Sequence, residues 1–343
     1  MDAKLMTETA RAMVAPGKGL LAADESAGTC KKRFDSVNVE CTEENRRAYR
    51  EMLFTTPKIN DYVSGVILFD ETLRQSTKSG VNFGEYLKKN GIIPGIKVDA
   101  GAHDMALHPG EKVTEGLDKL AARMQEYFGL GARFAKWRAV ITIGKDIPSS
   151  ACIKANAHAL ARYSAICQEA SIVPIVEPEV LLDGDHTAER SESVHQDTLE
   201  ALFHELERQD VSLEHVILKA SMVVSGKENA RQAGVPEVAE RTLRVLRRTV
   251  PAALPGVVFL SGGQTDENAT AHLDAMNRLG GAPWPLTFSY SRALQAVALK
   301  AWRGSAANVA AAQKAFHHRA RMNSFAAKGQ WTPKLEKEAA LAS

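Results

Sequence analysis

The feature of this sequence that most limits its fold is a series of eight short apolar runs, each followed at once or within two residues by a polar side chain. The runs are rich in aliphatic residues and do not alternate with polar ones, which is typical of strands buried on both faces of a parallel sheet. They occupy residues 19–23, 65–69, 92–96, 134–135, 172–176, 216–218, 257–260 and 286–290.

Helical patterns lie between the runs. Apolar residues recur at intervals of three and four over 153–167, 199–206 and 238–249, and Pro236 suits the first turn of the third helix. Eight strand–helix units in series favour an α/β fold, a (β/α)8 TIM barrel with additional helices, over a doubly wound sheet. No linker or repeat divides the chain, so we expect one catalytic domain over 1–343, with a flexible, polar and Ala-rich tail at 331–343.

Composition excludes several classes of function. The chain is 45% hydrophobic with a net charge of +2, which fits a folded protein and argues against a nucleic-acid partner. No apolar run approaches the roughly 18 residues of a membrane span, and the start has no signal-peptide core. The four cysteines are far apart, which favours a reduced compartment and predicts a cytoplasmic protein.

The polar residues that close the runs are the candidate functional residues. In a barrel the carboxyl ends of the strands meet at one mouth, where the active site lies. Structural ion pairs could explain any one of these residues, but the set as a whole favours a functional site. The set is Asp24, Lys97, Lys136, Arg138, Glu177, Lys219, Ser261 and Arg292.

The charges of this set favour an anionic substrate. Ser261, Gly262 and the next glycine form a small-residue turn after the seventh run, and Arg292 follows the eighth. Phosphate sites in such barrels often lie after strands seven and eight, although a plain tight turn is the alternative. Lys97 and Arg138 would hold a second phosphate across the mouth.

Lys219 is the candidate nucleophile. It ends a buried run, and burial together with a neighbouring cation such as Lys136 disfavours the charged ammonium form. A free amine can form a Schiff base with a ketone. The alternative is a lysine whose head reaches water.

Several motifs in this chain resemble those of the class I fructose-1,6-bisphosphate aldolases. The similarity runs in order from about residue 17 to residue 333. The motifs lie at 21–26, 95–99, 136–138, 174–179, 218–219, 259–264 and 289–295.

The resemblance implies a reversible cleavage of fructose 1,6-bisphosphate into dihydroxyacetone phosphate and glyceraldehyde 3-phosphate, in glycolysis and gluconeogenesis. It implies a protein imine on Lys219 with no metal and no other cofactor. Glu177 would transfer protons, Asp24 would orient the C4 hydroxyl, and Lys136 would assist electrostatically. The family also implies a homotetramer whose ligands are phosphorylated ketoses and triose phosphates.

The same resemblance assigns the two phosphates. Ser261, Gly262 and Arg292 would hold the C1 phosphate. The C6 phosphate would be held by Lys97 and Arg138, with Arg33, Ser26 and Thr29 as further candidates.

Three departures from the family pattern stand out. Ser291 replaces the glycine common before Arg292, which alters a backbone contact to phosphate, and Ala220–Ser221 replaces the common Pro-Asn after Lys219. Many animal members end in a tyrosine that assists proton exchange, whereas this sequence ends at Ser343. We therefore expect enamine protonation to limit turnover more than it does in relatives that end in tyrosine. Equal rates of cleavage and of tritium exchange on dihydroxyacetone phosphate would contradict that expectation.

Three rival functions remain open at this point. A metal-dependent lyase could use Asp183, Asp185, His186 and His195, although a surface turn explains this stretch better. A non-catalytic phospho-ligand protein would keep the barrel without the chemistry. A relaxed aldolase would prefer fructose 1-phosphate.

Overall fold

The computed structural model describes the backbone of residues 1–341 and the side chains of residues 1–337. Eight of the strands are parallel and close into a barrel in the order β1-β2-β3-β6-β7-β8-β9-β10, while β4 and β5 form an antiparallel hairpin outside it. The strands are β1 Gly19–Ala23, β2 Val63–Leu68, β3 Ile93–Lys97, β4 Gly101–Asp104, β5 Lys112–Glu115, β6 Phe134–Ile141, β7 Val173–Val180, β8 Ile217–Ala220, β9 Gly256–Phe259 and β10 Leu286–Tyr290. The predicted (β/α)8 fold is confirmed, since all eight runs contribute a barrel strand.

Helices surround the barrel and confirm the three helical patterns predicted above as α7, α8 and α9. They are α1 Ala3–Met13, α2 Ala27–Asp35, α3 Glu43–Phe54, α4 Asp70–Arg74, α5 Phe83–Lys89, α6 Leu120–Gly129, α7 Ser150–Glu169, α8 Ala188–Arg208, α9 Val235–Thr249, α10 Asp266–Leu279, α11 Arg292–Trp302, α12 Val309–Ala326 and α13 Pro333–Leu341. Pro236 lies in the first turn of α9, where its missing N–H costs no hydrogen bond. Helix α1 precedes the first strand, β1 and β2 are each followed by two helices, and α12 and α13 follow α11 after the last strand.

The strands are apolar throughout because both of their faces are buried. Successive side chains of a strand point to opposite faces. Leu20 and Ala22 of β1 therefore pack inside the barrel with Phe134. Leu21 and Ala23 pack outward into the larger core beneath the helices. Alternate residues of the other strands also face the interior, and this inner cluster includes Ile175 of β7, Ile217 of β8 and Val258 of β9.

Helix α1 closes one end of the barrel. Met6 and Met13 of this helix pack into the interior cluster. The Ser64 hydroxyl, near the start of β2, donates a 2.6 Å hydrogen bond to the Met13 carbonyl. These contacts lie at the amino ends of the strands, so the opposite, carboxyl end is the one that remains open.

Two barrel strands are longer than their apolar runs. Strands β6 and β7 remain paired as far as Ile141 and Val180, both of which are buried. Lys136, Arg138 and Glu177, expected at strand ends, therefore lie within strands. The reason is that apolar residues resume beyond the charged ones and continue the ladder.

The end of the chain includes a described helix, α13. Before it, Trp331 is buried, and within it Glu336 forms an ion pair of 2.6 Å with Arg319 of α12. The single catalytic domain and the flexible tail at 331–343 stay predictions, and residues 342 and 343 lie outside the described part. Along residues 1–341, no helix is both long and apolar enough to cross a membrane.

Candidate active site

The open end of the barrel holds a cleft of about 420 Å³. All twelve site residues predicted from the sequence line it, although they come from seven different strand–helix units of the barrel. They are Asp24, Ser26, Thr29, Arg33, Lys97, Lys136, Arg138, Glu177, Lys219, Ser261, Gly262 and Arg292.

Strand parity explains why the four central residues converge. Lys219 lies two residues after Ile217, whose side chain faces the barrel interior. Glu177, Lys136 and Asp24 likewise follow interior residues of their own strands by two positions. Side chains two apart on a strand share a face, so all four point into the mouth of the barrel.

These four side chains form a continuous chain of ion pairs. The Lys219 Nζ atom lies 3.0 Å from Glu177 Oε1. Lys136 Nζ lies 3.3 Å from Glu177 Oε2 and 2.7 Å from Asp24 Oδ2. Lys219, Lys136 and Glu177 are each at most 4% exposed. Glu177 thus bridges the two lysines, and proton transfer between Glu177 and Lys219 needs no movement of the backbone.

Burial and neighbouring charges shift the pKa values of these groups in opposite directions. Burial alone would raise the pKa of the Glu177 carboxyl, but Lys219 and Lys136 outweigh it and hold that pKa below its ordinary value. The pKa of Asp24 is lowered in the same way, against burial, chiefly by Lys136. The two carboxylates in turn raise the pKa of Lys136 despite its burial. The resting site therefore contains two carboxylates held around the Lys136 ammonium.

One end of the cleft has the features of a phosphate site. Gly262 and Gly263 adopt φ values of +57° and +89°, a left-handed turn that favours glycine. A Cβ atom at Gly263 would lie 3.2 Å from an Arg292 Nη atom, so the arginine packs against the turn. Arg292 is also the first residue of α11, and a helix N-terminus attracts anions.

The other end of the cleft has two cations, each held by a carboxylate. Lys97 Nζ lies 2.8 Å from Asp99 Oδ1 and also donates to the Asp99 carbonyl at 2.9 Å. Arg138 pairs with Glu179 of the neighbouring strand. The predicted pair of Lys97 and Arg138 is thus present in one cleft with the first phosphate site.

The remaining predicted residues, Ser26, Thr29 and Arg33, come from α2 and its N-cap. The Ser26 hydroxyl caps this helix by accepting from the Thr29 amide at 3.4 Å. Arg33, from the last turn of the helix, pairs with Glu25 and donates to Ser291 Oγ at 3.0 Å. Its guanidinium therefore lies beside the residue that precedes Arg292 rather than beside Lys97.

Three carboxylates in or beside the cleft were not predicted from the sequence: Glu25, Asp99 and Glu179. Asp99 and Glu179 lie two residues after Lys97 and Glu177, so period-two spacing on the strands was a usable signal. Glu25 directly follows Asp24 and had no such signal, because its partners are distant in the sequence.

Ser221, the second residue after Lys219, has a local structural role. Ser221 Oγ accepts from the Val180 amide at 3.1 Å and forms a 2.9 Å hydrogen bond with His195 Nε2. Burial lowers the pKa of His195 to about 4, so this ring is neutral at physiological pH. Ser221 thus joins the end of β7 to α8 beside the strand that carries Lys219.

Two of the residues considered above as a metal site, at positions 183 and 195, bind other partners. Asp183 pairs with Lys227, and His195 bonds Ser221 and the Ser191 carbonyl at 2.7 Å. Among the residues whose side chains are described, no three His, Cys, Asp or Glu lie close enough together to hold a metal ion.

The family of the chain follows from comparison with known proteins. The family model described as fructose-bisphosphate aldolase class-I matches residues 5–343. The chain belongs to this family. The class I aldolases are metal-independent enzymes that form a lysine Schiff base.

Curated relatives and solved structures agree with this assignment. The chain is 61% identical over 332 residues to a probable fructose-bisphosphate aldolase class 1 of Xanthomonas campestris, covering 96% of this chain and 99% of that protein. It is 54% identical over 329 residues to fructose-bisphosphate aldolase 5, cytosolic, of Arabidopsis thaliana, with coverage of 95% and 91%. The structure of Plasmodium falciparum fructose-bisphosphate aldolase with TRAP and a small-molecule inhibitor matches with a TM-score of 0.95, at 47% identity and 97% coverage of both chains.

Proposed function

We propose that this protein cleaves fructose 1,6-bisphosphate reversibly into dihydroxyacetone phosphate and glyceraldehyde 3-phosphate, through an imine on Lys219 and without a metal or other cofactor. The observation that carries the proposal is the Lys219 amine, buried and 3.0 Å from Glu177, in a cleft with cations at both ends. Family membership supports the reaction class, a lyase of glycolysis and gluconeogenesis.

The chain of ion pairs supports a role for each central residue. Glu177 takes a proton from Lys219, whose free amine attacks the C2 carbonyl of the open-chain sugar to give a carbinolamine. Glu177 then returns a proton to the departing hydroxyl, so that water leaves and an iminium ion forms. Asp24, held 2.7 Å from Lys136, orients the C4 hydroxyl of the sugar. Glu177 then removes the proton of this hydroxyl.

Cleavage then follows from the iminium ion. The C3–C4 bond breaks, its electron pair moves into the iminium to give an enamine, and the aldehyde product leaves. Protonation of the enamine carbon and addition of water release dihydroxyacetone phosphate and restore the amine. The fixed cation of Lys136 stabilises the carboxylates through these steps.

The two ends of the cleft support the phosphate assignments. Ser261, Gly262 and Arg292 bind the C1 phosphate through a hydroxyl, a turn amide and a guanidinium. Lys97 and Arg138 bind the C6 phosphate, with Ser26 and Thr29 at the start of α2 as further donors. Holding the sugar at both phosphates places C2 against Lys219 and reduces the entropic cost of reaction.

Reductive trapping tests the imine. Sodium borohydride with dihydroxyacetone phosphate should leave one stable adduct on Lys219, located by peptide mass spectrometry. Lys219→Met and Lys219→Arg should abolish both the adduct and cleavage, whereas Lys227→Met, a change at an exposed lysine paired with Asp183, should alter neither. Residual cleavage within about tenfold of wild type in both Lys219 variants would contradict the imine.

Two further measurements separate the rival functions. Cleavage that persists in excess EDTA is expected, and its loss would favour a metal-dependent lyase. A wild-type protein that binds dihydroxyacetone phosphate but forms no adduct would be a phospho-ligand binder.

Oligomeric state and location complete the proposal. We propose a homotetramer in the cytoplasm. The family resemblance supports the homotetramer. The name of the Arabidopsis relative, which includes the word cytosolic, supports the cytoplasmic location. Sedimentation velocity at working concentration should give four chains per particle, and a monomer would contradict this.

A further inference from the structure

Glu25 is a buried carboxylate in the cleft wall that the proposed chemistry does not use. Its side chain is 4% exposed, and four neighbouring side chains donate to it. Burial would raise its pKa, but Arg33 and Arg50 hold that pKa below its ordinary value, so the group stays ionised. The donors are Arg33, Arg50, Ser291 and Gln295.

Ser291 is the residue that joins these groups. Its hydroxyl donates to Glu25 Oε1 at 2.6 Å. A hydroxyl has one proton, so its oxygen then acts only as an acceptor, from Arg33 Nη2 at 3.0 Å and from Gln295 Nε2 at 3.2 Å. Glycine at this position would remove every one of these contacts.

The contacts fix the orientation of the Arg33 guanidinium. One terminal nitrogen of this group bonds Glu25 and the other bonds Ser291. A guanidinium is planar, so two anchored nitrogens determine its plane. Its remaining N–H groups are then available to an anion in the cleft, which Arg33 lines.

The position of Ser291 indicates which phosphate the Arg33 guanidinium would bind. Ser291 precedes Arg292, whose guanidinium packs against the Ser261–Gly263 turn at the proposed C1-phosphate site. Arg33 comes from α2, 258 residues away in the sequence, and its hydrogen bond to Ser291 brings it to this end of the cleft.

We propose that Ser291 is a positioning residue for substrate binding, which acts by holding the Arg33 guanidinium toward the C1 phosphate. This inference rests on the proposed function and deepens it. It also reassigns Arg33 from the C6 phosphate, where the family resemblance placed it, to the C1 phosphate.

Steady-state kinetics with two substrates test the proposal. Fructose 1,6-bisphosphate and fructose 1-phosphate share the C1 phosphate, so Ser291→Ala should raise KM for both by the same factor. We expect about tenfold, the effect of losing one hydrogen bond to a charged group, with kcat changed by less than about twofold. Ser305→Ala, beyond the far end of α11, is the matched control and should leave both constants unchanged.

A double-variant cycle shows whether Ser291 acts through Arg33. Arg33→Ala should raise KM for both substrates, and adding Ser291→Ala should raise it by less than about twofold more. Fully additive effects would overturn the proposal, as would an effect confined to the bisphosphate or a fall in kcat at unchanged KM. An unchanged KM in a Ser291→Ala enzyme that still forms the borohydride adduct refutes this inference alone. Absence of the adduct in wild type refutes the proposed function itself.

Discussion

Replacing Lys136 with methionine removes a buried charge while keeping most of the side-chain volume. The ammonium lies 2.7 Å from Asp24 and 3.3 Å from Glu177, and the side chain is 4% exposed. Glu177 retains Lys219 at 3.0 Å, whereas the direct ion-pair partner of Asp24 is removed. Two unit charges about 3 Å apart attract by about 5 kcal/mol at an effective dielectric constant near 20. Because desolvation offsets part of this, we expect the free energy of unfolding to fall by about 3–5 kcal/mol at neutral pH.

The pH dependence of this loss has a definite sign. In wild type the pKa of Asp24 is depressed, so its contribution to stability is present above its unfolded-state pKa and is lost as pH falls through the folded-state pKa. In Lys136→Met only Lys219 and Lys97 remain to offset the burial of Asp24, so we expect its pKa to rise above the unfolded value. The carboxyl then protonates at mildly acidic pH, which relieves the buried charge. The difference in stability between the two proteins should therefore be larger at about pH 8 than at about pH 5.

Urea unfolding at fixed protein concentration measures the stabilities, and initial rates of cleavage measure the chemistry. We expect kcat to fall by about 10²–10⁴-fold, the usual effect of disturbing groups that transfer protons. Arg241→Met is the matched control, since it removes an arginine of α9 that is 16% exposed and pairs with Glu192. It should leave kcat within about twofold of wild type. A stability difference that does not change with pH, or an unchanged kcat in Lys136→Met, would refute the reasoning.

Three further changes have calculable outcomes. Gly95→Ala places a Cβ atom 2.2 Å from the edge of the buried Phe134 ring, so urea unfolding should show a loss of stability of about 3 kcal/mol or more. A loss below about 1 kcal/mol would show that the ring can move. Lys97→Met should lower kcat/KM for fructose 1,6-bisphosphate by about 10–100-fold and for fructose 1-phosphate by less than about threefold, and equal losses would remove Lys97 from the C6-phosphate site. Wild type should lose stability as pH falls from about 6.5 to about 4, and His195 should contribute up to about 3 kcal/mol of that loss, because the unfolded ring takes up a proton that burial denies to the folded ring. Urea unfolding of His195→Leu should show a smaller loss over this range, and an equal loss would contradict the assignment.

The location of the site could be predicted from the sequence because it follows from periodicity alone. A polar residue after a run that is buried on both faces must lie at the mouth of a barrel, and the parity of Ile217 and Lys219 directs that lysine inward. This reasoning needs no knowledge of distant contacts. It gave eight of the twelve predicted residues, and the small-residue turn added Gly262. The other three, Ser26, Thr29 and Arg33, came from the family resemblance. All twelve line the cleft, and their roles stay predictions.

Contacts between distant segments could not be predicted in this way. The bond between Arg33 and Ser291 joins residues 258 positions apart, and no local pattern marks either one as a partner of the other. The length of β6 was underestimated because Lys136 and Arg138 interrupt an apolar run that resumes at Ala139. Charged residues in a strand are costly to bury, and the carboxylates of Asp24 and Glu177, seen in the structure, make the burial of Lys136 possible.

The neighbouring strands β6 and β7 each carry two inward charges two residues apart. Lys136 and Glu177 contact each other near the Lys219 amine. Arg138 and Glu179 form a second ion pair, nearer to the solvent. Two residues of strand span about 6.6 Å, and the backbone ladder between the strands fixes that separation. No exchange of side chains can lengthen it without breaking the ladder. Adaptation to a longer or shorter sugar phosphate must therefore arise in the loops that follow the strands, where insertions leave the barrel intact.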